Sequence, residues 1–142
     1  MLNPDVPADQ VADAYREWRE SRGGNSDRIV AMMADGIEMR SVLDPALPDD
    51  LAADRKSIDE ARAYFDVISR DWEMLDYPQE KIVADGDTVV WIGRCRWRHR
   101  FTGREIDTPK VDIWTFEDGK AVRFLEMFDS LGFARTVGLI PA

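Results

Sequence analysis

The chain reads as an α+β domain with its helices early and its strands late. Apolar residues recur at helical spacing over residues 8–22 and again over 57–75, and after Pro78 the pattern switches to alternation. Asp85-Gly86, Thr102-Gly103 and Asp118-Gly119 punctuate that second part as turns. A chain of 142 residues fits one domain around one core, so one site is expected.

"PADQVADAYREWRESR" opens on Pro7 and brings Val11, Tyr15 and Trp18 onto one face, which predicts an amphipathic helix ending before Gly23-Gly24. Ser26 suits an N-cap for a second, shorter helix with Ile29, Val30, Met32 and Met33 as its apolar face and Gly36 as its end. "IEMRSVL", residues 37–43, alternates as a strand. Residues 44–56 hold Pro45, Pro48 and aspartates 44, 49, 50 and 54, a loop that is either a plain connection or a lid. Ser57-Ile58-Asp59-Glu60 has the form of a capping box. Ile58, Ala61, Phe65, Ile68, Trp72 and Leu75 follow on one helical face, which predicts a third helix limited by Pro78.

Four antiparallel strands should complete the fold, giving three helices packed on a curved antiparallel sheet. The last two strands are bulky on both faces: Val111 and Ile113 oppose Trp114 and Phe116, and Leu125 and Met127 oppose Phe124 and Phe128. A sheet apolar on both sides needs two covers, so one face is expected on the helices and the outer one on a second copy of the chain.

The formal charge of −9 repels phosphate backbones and argues against a nucleic-acid partner. The local exception is "RCRWRHR" at 94–100. On a strand it would present Arg94, Arg96, Arg98 and Arg100 as one cationic row, paired first with the chain's own carboxylates, or else with an anionic ligand or, least of all, nucleic acid. Cys95 and His99 would then point the other way as core residues. One cysteine and one histidine do not complete a zinc site without several carboxylates, so no metal is assigned. No apolar run approaches a membrane span and "MLNPDVPADQ" lacks the pattern of an export signal, so the expected location is the cytoplasm.

Strand alternation ties Asp112 to Trp114 and Phe116, and Glu126 to Phe124 and Phe128. Either these acids serve a site, or they neutralise Arg94 or Lys110 in a structural ion pair.

The order of elements resembles the cone-shaped nuclear transport factor 2-like fold. "TGREIDTPKVDIWTFEDGKAVRFLEMFD" is similar to its SnoaL-like and ketosteroid isomerase-like branch. The resemblance implies a homodimer and a deep apolar pocket for a small apolar or polycyclic molecule. It implies catalytic candidates Tyr15, Asp112 and Glu126, and pocket candidates Trp18, Met39, Ser41, Arg94, Trp114, Phe116, Phe124 and Phe128. Isomerases of this type pair a carboxylate base with a tyrosine and a protonated aspartic acid. Tyr15 and Asp112 match the latter two. The base position falls on Ser41, too weakly basic for the task, while Asp44 is three residues off and on the other face. The epoxide hydrolase pattern, an arginine between two acids, finds Arg94 and Glu126 but has Arg96 in place of the second acid. The implied activity is cofactor-free acid-base chemistry, with a non-catalytic binding or dimerisation module as the alternative.

Overall fold

The computed structural model describes residues 6–142, so the first half of the stretch read for an export signal lies outside the described residues. Helix α1 runs Pro7–Glu20 with proline in its first turn and buries Val11, Ala14, Tyr15 and Trp18, one stripe at 3.6-residue spacing. Gly23, at φ 77°, ends the helix by turning its N–H back to the Trp18 carbonyl. Helix α2 is short, Asp27–Ala31, and strand β1 takes over at Met33–Ser41. The second helix therefore stops before Gly36 and the strand begins earlier than the sequence pattern implies. Met33 pairs with Ala121, and the Met32 carbonyl accepts from the Ala121 N–H, so pairing with a distant strand overrides a local helical pattern.

A single 3-10 turn, Asp50–Ala52, interrupts the proline-rich loop. Helix α3, Ile58–Asp71, is capped by the Ser57 hydroxyl, which accepts from the Glu60 N–H at 3.1 Å. The expected continuation to Leu75 does not occur. Trp72–Asp76 forms strand β2, pairing Trp72 with His99 and Met74 with Trp97 across the sheet. Apolar residues at 68, 72 and 75 satisfy a helical period and a half-buried strand about equally, and the open edge of the next long strand decides.

Strands β3 (Gln79–Asp85), β4 (Thr88–His99), β5 (Glu105–Glu117) and β6 (Lys120–Met127) form the expected meander, followed by helix α4 at Ser130–Thr136. Asp118 and Gly119 both take positive φ, as the two-residue turn between β5 and β6 requires. The sheet order is β1-β6-β5-β4-β2, with β3 also on β4. The sheet is mixed rather than purely antiparallel, because β1 runs parallel to β6. The crossover through α3 and the meander separates these two strands, long enough to allow parallel pairing.

Alternation sorts the faces as expected. Along β5, Ile106, Thr108, Lys110, Asp112, Trp114 and Phe116 are buried on the inner face, while Val111 and Ile113 are only half-buried on the outer one. The arginine row is also outward: Arg94 pairs with Asp107 at 3.0 Å, Arg96 with Glu105 at 2.9 Å and Arg98 with Glu73 at 2.9 Å. These exposed pairs fix little stability individually, since water and salt screen them. Among the described residues, no helix is long and apolar enough to cross a membrane.

Gly93 sits where a side chain has no room: a Cβ there would lie 2.2 Å from the Pro78 carbonyl oxygen and 2.5 Å from the Trp91 ring. Gly93→Ala is expected to lower unfolding stability by about 3 kcal/mol, the upper end of overpacking costs, as read by urea denaturation.

Candidate active site

Between the inner face of the sheet and helices α1 and α3 lies a cavity with about 90 Å³ open to the centres of water molecules. One water needs roughly 10–15 Å³ on that measure, so the space is several waters large. Its wall is mostly aromatic, with Trp18 from α1, Phe65 from α3, Trp72 from β2 and Phe133 from α4. Its charged members, Lys110, Asp112 and Glu126, are gathered at one place on β5 and β6.

There the strand register sets Asp112 directly opposite Glu126 and Trp114 opposite Phe124. Lys110, two residues before Asp112 on the same face, reaches both acids. Its Nζ donates to Asp112 Oδ1, and to Glu126 Oε2 at 3.1 Å. All three side chains are at most 8% exposed. Phe124 and Phe128 flank the ammonium, their ring centroids 5.8 and 5.9 Å away. Two tyrosines close the ends of the chain. Tyr15 donates to Asp112 Oδ2 at 2.5 Å and accepts from the Trp114 indole N–H at 2.9 Å. Tyr64 donates to Glu126, its hydroxyl 2.8 Å from both carboxylate oxygens. A continuous hydrogen-bonded line thus runs Trp114, Tyr15, Asp112, Lys110, Glu126, Tyr64.

Each position has a local cause. Tyr15 belongs to the buried stripe of α1 and stacks on Trp91, with ring centroids 4.6 Å apart. Tyr64 belongs to the corresponding stripe of α3, with Ala61, Phe65 and Ile68. Lys110, Asp112 and Glu126 take the inward positions of their strands because alternation leaves no other choice.

Burial and one-sided charge shape the proton affinities. Burial raises the Asp112 carboxyl above the usual range; the Lys110 ammonium works against this and the Glu126 charge adds to it. Burial alone would lower the Lys110 ammonium, but the charges of Asp112 and then Glu126 more than reverse it, and its affinity ends above the ordinary lysine value. Lys110 is therefore a fixed cation and a hydrogen-bond donor, not an amine nucleophile. Burial, followed by the charge of the neighbouring acid, raises both Tyr15 and Tyr64 and keeps them as phenols. Cys95, on the same wall, is pushed up to about 12 by burial and stays a thiol.

Tyr15, Asp112, Glu126, Trp18, Trp114, Phe124 and Phe128 all line the cavity. Four other expected pocket residues do not. Arg94 faces the outer surface, since it is one residue out of phase with inward Cys95, and it pairs with Asp107. Phe116 is buried in the core two residues beyond Trp114, past an irregularity in the β5–β6 register. Met39 is buried too, but it sits on β1, where its backbone bridges to Arg55 rather than bordering the cavity. Ser41 ends β1, its hydroxyl accepting from the Leu43 N–H at 3.1 Å. The alternative base Asp44 is exposed and caps a turn by accepting from the Ala46 N–H. Both candidates at the expected base position therefore lie outside the cavity wall.

Lys110, offered by the sequence only as an ion-pair partner, proves central. The cation sought at Arg94 between two acids exists, but it is Lys110 between Asp112 and Glu126. Tyr64 was missed, although its spacing from Ala61 and Ile68 placed it on the buried stripe. Among the described residues, no three His, Cys, Asp or Glu side chains come together as a metal-holding group.

A profile of the SnoaL-like domain matches residues 11–124, most of the chain and every member of the hydrogen-bonded line except Glu126. The chain belongs to the SnoaL-like family. No curated protein matches it. Among solved structures, a nuclear transport factor 2-like protein from Burkholderia thailandensis is similar at 25% identity, with a TM-score of 0.77 over 96% of this chain and 98% of that one. TerC, co-crystallised with polyporic acid, has 18% identity and a TM-score of 0.77 over 96% and 99% of the two chains. A proposed SnoaL-like polyketide cyclase from Jannaschia has 18% identity and a TM-score of 0.70 over 96% and 97%. At such identities the likeness of the last two is one of fold.

Because the folded chain raises the Asp112 carboxyl above its unfolded value near ~4, folding takes up a proton as pH falls through that raised value. The stabilisation is complete below the unfolded value and is lost as pH rises through the folded one. Wild-type protein should gain stability relative to Asp112→Asn on acidification from about pH 7 toward about pH 4, read as urea midpoints of the two proteins. Parallel pH profiles would contradict it.

Proposed function

We infer that this SnoaL-like protein is a cofactor-free acid-base enzyme acting on a mostly apolar small molecule, of the isomerase, cyclase or dehydratase type. The observation that carries this reading is the buried line of ionisable groups on the wall of an aromatic cavity. Asp112 is the proton carrier, since burial raises its proton affinity above that of an ordinary carboxylate and it sits on the cavity wall. Tyr15 and Lys110 hold one oxygen of Asp112 each and fix its orientation. Glu126, steadied by Tyr64, is the second proton site, and the remaining Lys110 proton can meet a substrate oxygen on which negative charge develops. TerC, of the same fold, was co-crystallised with polyporic acid, in keeping with a small-molecule site.

One observation favours the non-catalytic alternative: every oxygen of Asp112 and Glu126 already accepts a donor from within the chain. Exchange of α-hydrogens separates the two readings without advance knowledge of the product. Cyclic ketones and 1,3-diketones incubated in D₂O with wild-type protein should incorporate deuterium by NMR. Asp112→Asn should lose about a hundredfold or more of that rate and Tyr15→Phe about tenfold. Full exchange by Asp112→Asn would remove its assigned role, and ligand binding without any exchange would leave a binding module.

The outer sheet face is the proposed homodimer contact. Val90 lies opposite Ile113 and Ile92 opposite Val111, an apolar patch continued by Leu125, which is 37% exposed. Sedimentation should give a dimer at micromolar concentration and a monomer for Ile113→Arg; a wild-type monomer would count against the contact.

A further inference from the structure

The turn between β4 and β5 carries the most exposed large apolar side chain among the described residues. Phe101 is 79% exposed, and residues 100–103 are all exposed, so the turn projects from the sheet. Its backbone is fixed. The Gly103 N–H donates to the His99 carbonyl at 2.9 Å, with Gly103 at φ 72°, and the His99 N–H donates to the Arg104 carbonyl at 2.9 Å. The Thr102 hydroxyl donates to the Thr136 carbonyl at 2.6 Å, which ties the turn to the end of α4. A tip held this way cannot fold the Phe101 ring back onto the core.

One exposed apolar residue is ordinary, but its surroundings are not. Arg100 precedes Phe101 in the turn, and the Arg104 guanidinium donates to the Arg135 carbonyl at 2.6 Å, which brings the last turn of α4 beside the tip. Arg100, Arg104 and Arg135 make no ion pair among the described residues, in a chain of formal charge −9. The acids next to them are already taken. Glu105, beside Arg104, pairs with Arg96 and Arg98, and Asp71, whose carbonyl accepts from the Arg100 N–H, pairs with Arg70.

Unpaired cations around an apolar tip complement a surface that is anionic outside and apolar just beneath, the interface of a bilayer. A small bound anion would leave Phe101 in water. An extended acidic peptide needs a groove or a sheet edge, which a projecting turn does not offer. The chain's overall negative charge opposes contact only weakly, since salt screens charges beyond about 8 Å at physiological ionic strength and the tip's own surroundings dominate. The tip also leads inward: Phe101 meets His99 at 5.7 Å between ring centroids, and His99 meets Trp72, on the cavity wall, at 4.8 Å. Contact here sets the cavity wall two ring contacts from the lipid.

We propose that the β4–β5 turn is a membrane-docking tip, at which Phe101 enters the headgroup boundary of an anionic bilayer while Arg100, Arg104 and Arg135 hold lipid phosphates. No segment crosses the membrane in this arrangement, and it does not depend on the reaction assigned to the cavity.

Co-sedimentation of the intact protein with vesicles tests the tip. Phosphatidylcholine vesicles with about a third phosphatidylglycerol, in about 0.1 M salt, should bind the protein about tenfold better than phosphatidylcholine alone. Phe101→Ser should weaken that binding about tenfold and the double variant Arg100→Gln, Arg135→Gln about as much, while Phe101→Trp retains it. These three side chains are exposed and make no side-chain hydrogen bond, so the variants keep the wild-type fold. No wild-type binding to the anionic vesicles at millimolar lipid, or equal binding by Phe101→Ser, overturns the proposal. Tighter capture by polyglutamate than by the vesicles overturns it too, and would make the tip a site for an acidic protein.

Discussion

The interaction on which the site depends is the contact of one buried ammonium, Lys110, with two buried carboxylates, Asp112 and Glu126. None of the three charges could be kept at that depth alone, because desolvation would drive each toward its neutral form. Lys110 hydrogen-bonds both acids and offsets part of that cost, with one acid left in surplus. Burial sets the direction of the Asp112 shift, with the Glu126 charge adding to it, and Tyr15 and Tyr64 supply the two acids with further donors. A surplus also makes the group able to take up a proton, which a neutral ion pair would resist.

The fold supplies what this cluster needs. Strands β5 and β6 set the two acids opposite each other, and the two-residue Asp118-Gly119 turn holds that register. Helices α1 and α3 bring one tyrosine each from the other side of the cavity, so the polar line is anchored at both ends by separate elements. The surrounding rings exclude water and lower the local dielectric, which strengthens every contact in the line. An extra consequence is that the arginine row cannot take part. It is out of phase with the inward face, and exposed acids on β5 and β2 satisfy most of it.

Much of the fold was legible because its signals were periodic and locally punctuated. The stripe through Val11, Tyr15 and Trp18, the capping serine at 57, and the alternation from Val111 to Phe128 all read correctly. The errors fell where two elements contest the same residues. Met33 and Trp72 both fit a helix, yet each is taken into a strand by a partner more than twenty residues away. The site was half legible. Alternation put Asp112 and Glu126 on an aromatic face, but no rule of sequence spacing showed that α3 would deliver Tyr64 to Glu126, 62 residues distant.

The sequence by itself determined the inward side chains of each strand and helix, since a period of 2.0 or 3.6 residues leaves no freedom once one residue is placed. It also determined that the arginines at 94–100 would sit apart from Cys95 and His99. Only the tertiary structure decided which inward groups meet. Sheet order, the parallel pairing of β1 with β6 and the approach of α1 and α3 are long-range choices, fixed by the joint burial of one core. They set Asp112 opposite Glu126 within reach of one ammonium, Lys110, and brought Tyr15 and Tyr64 onto the two acids.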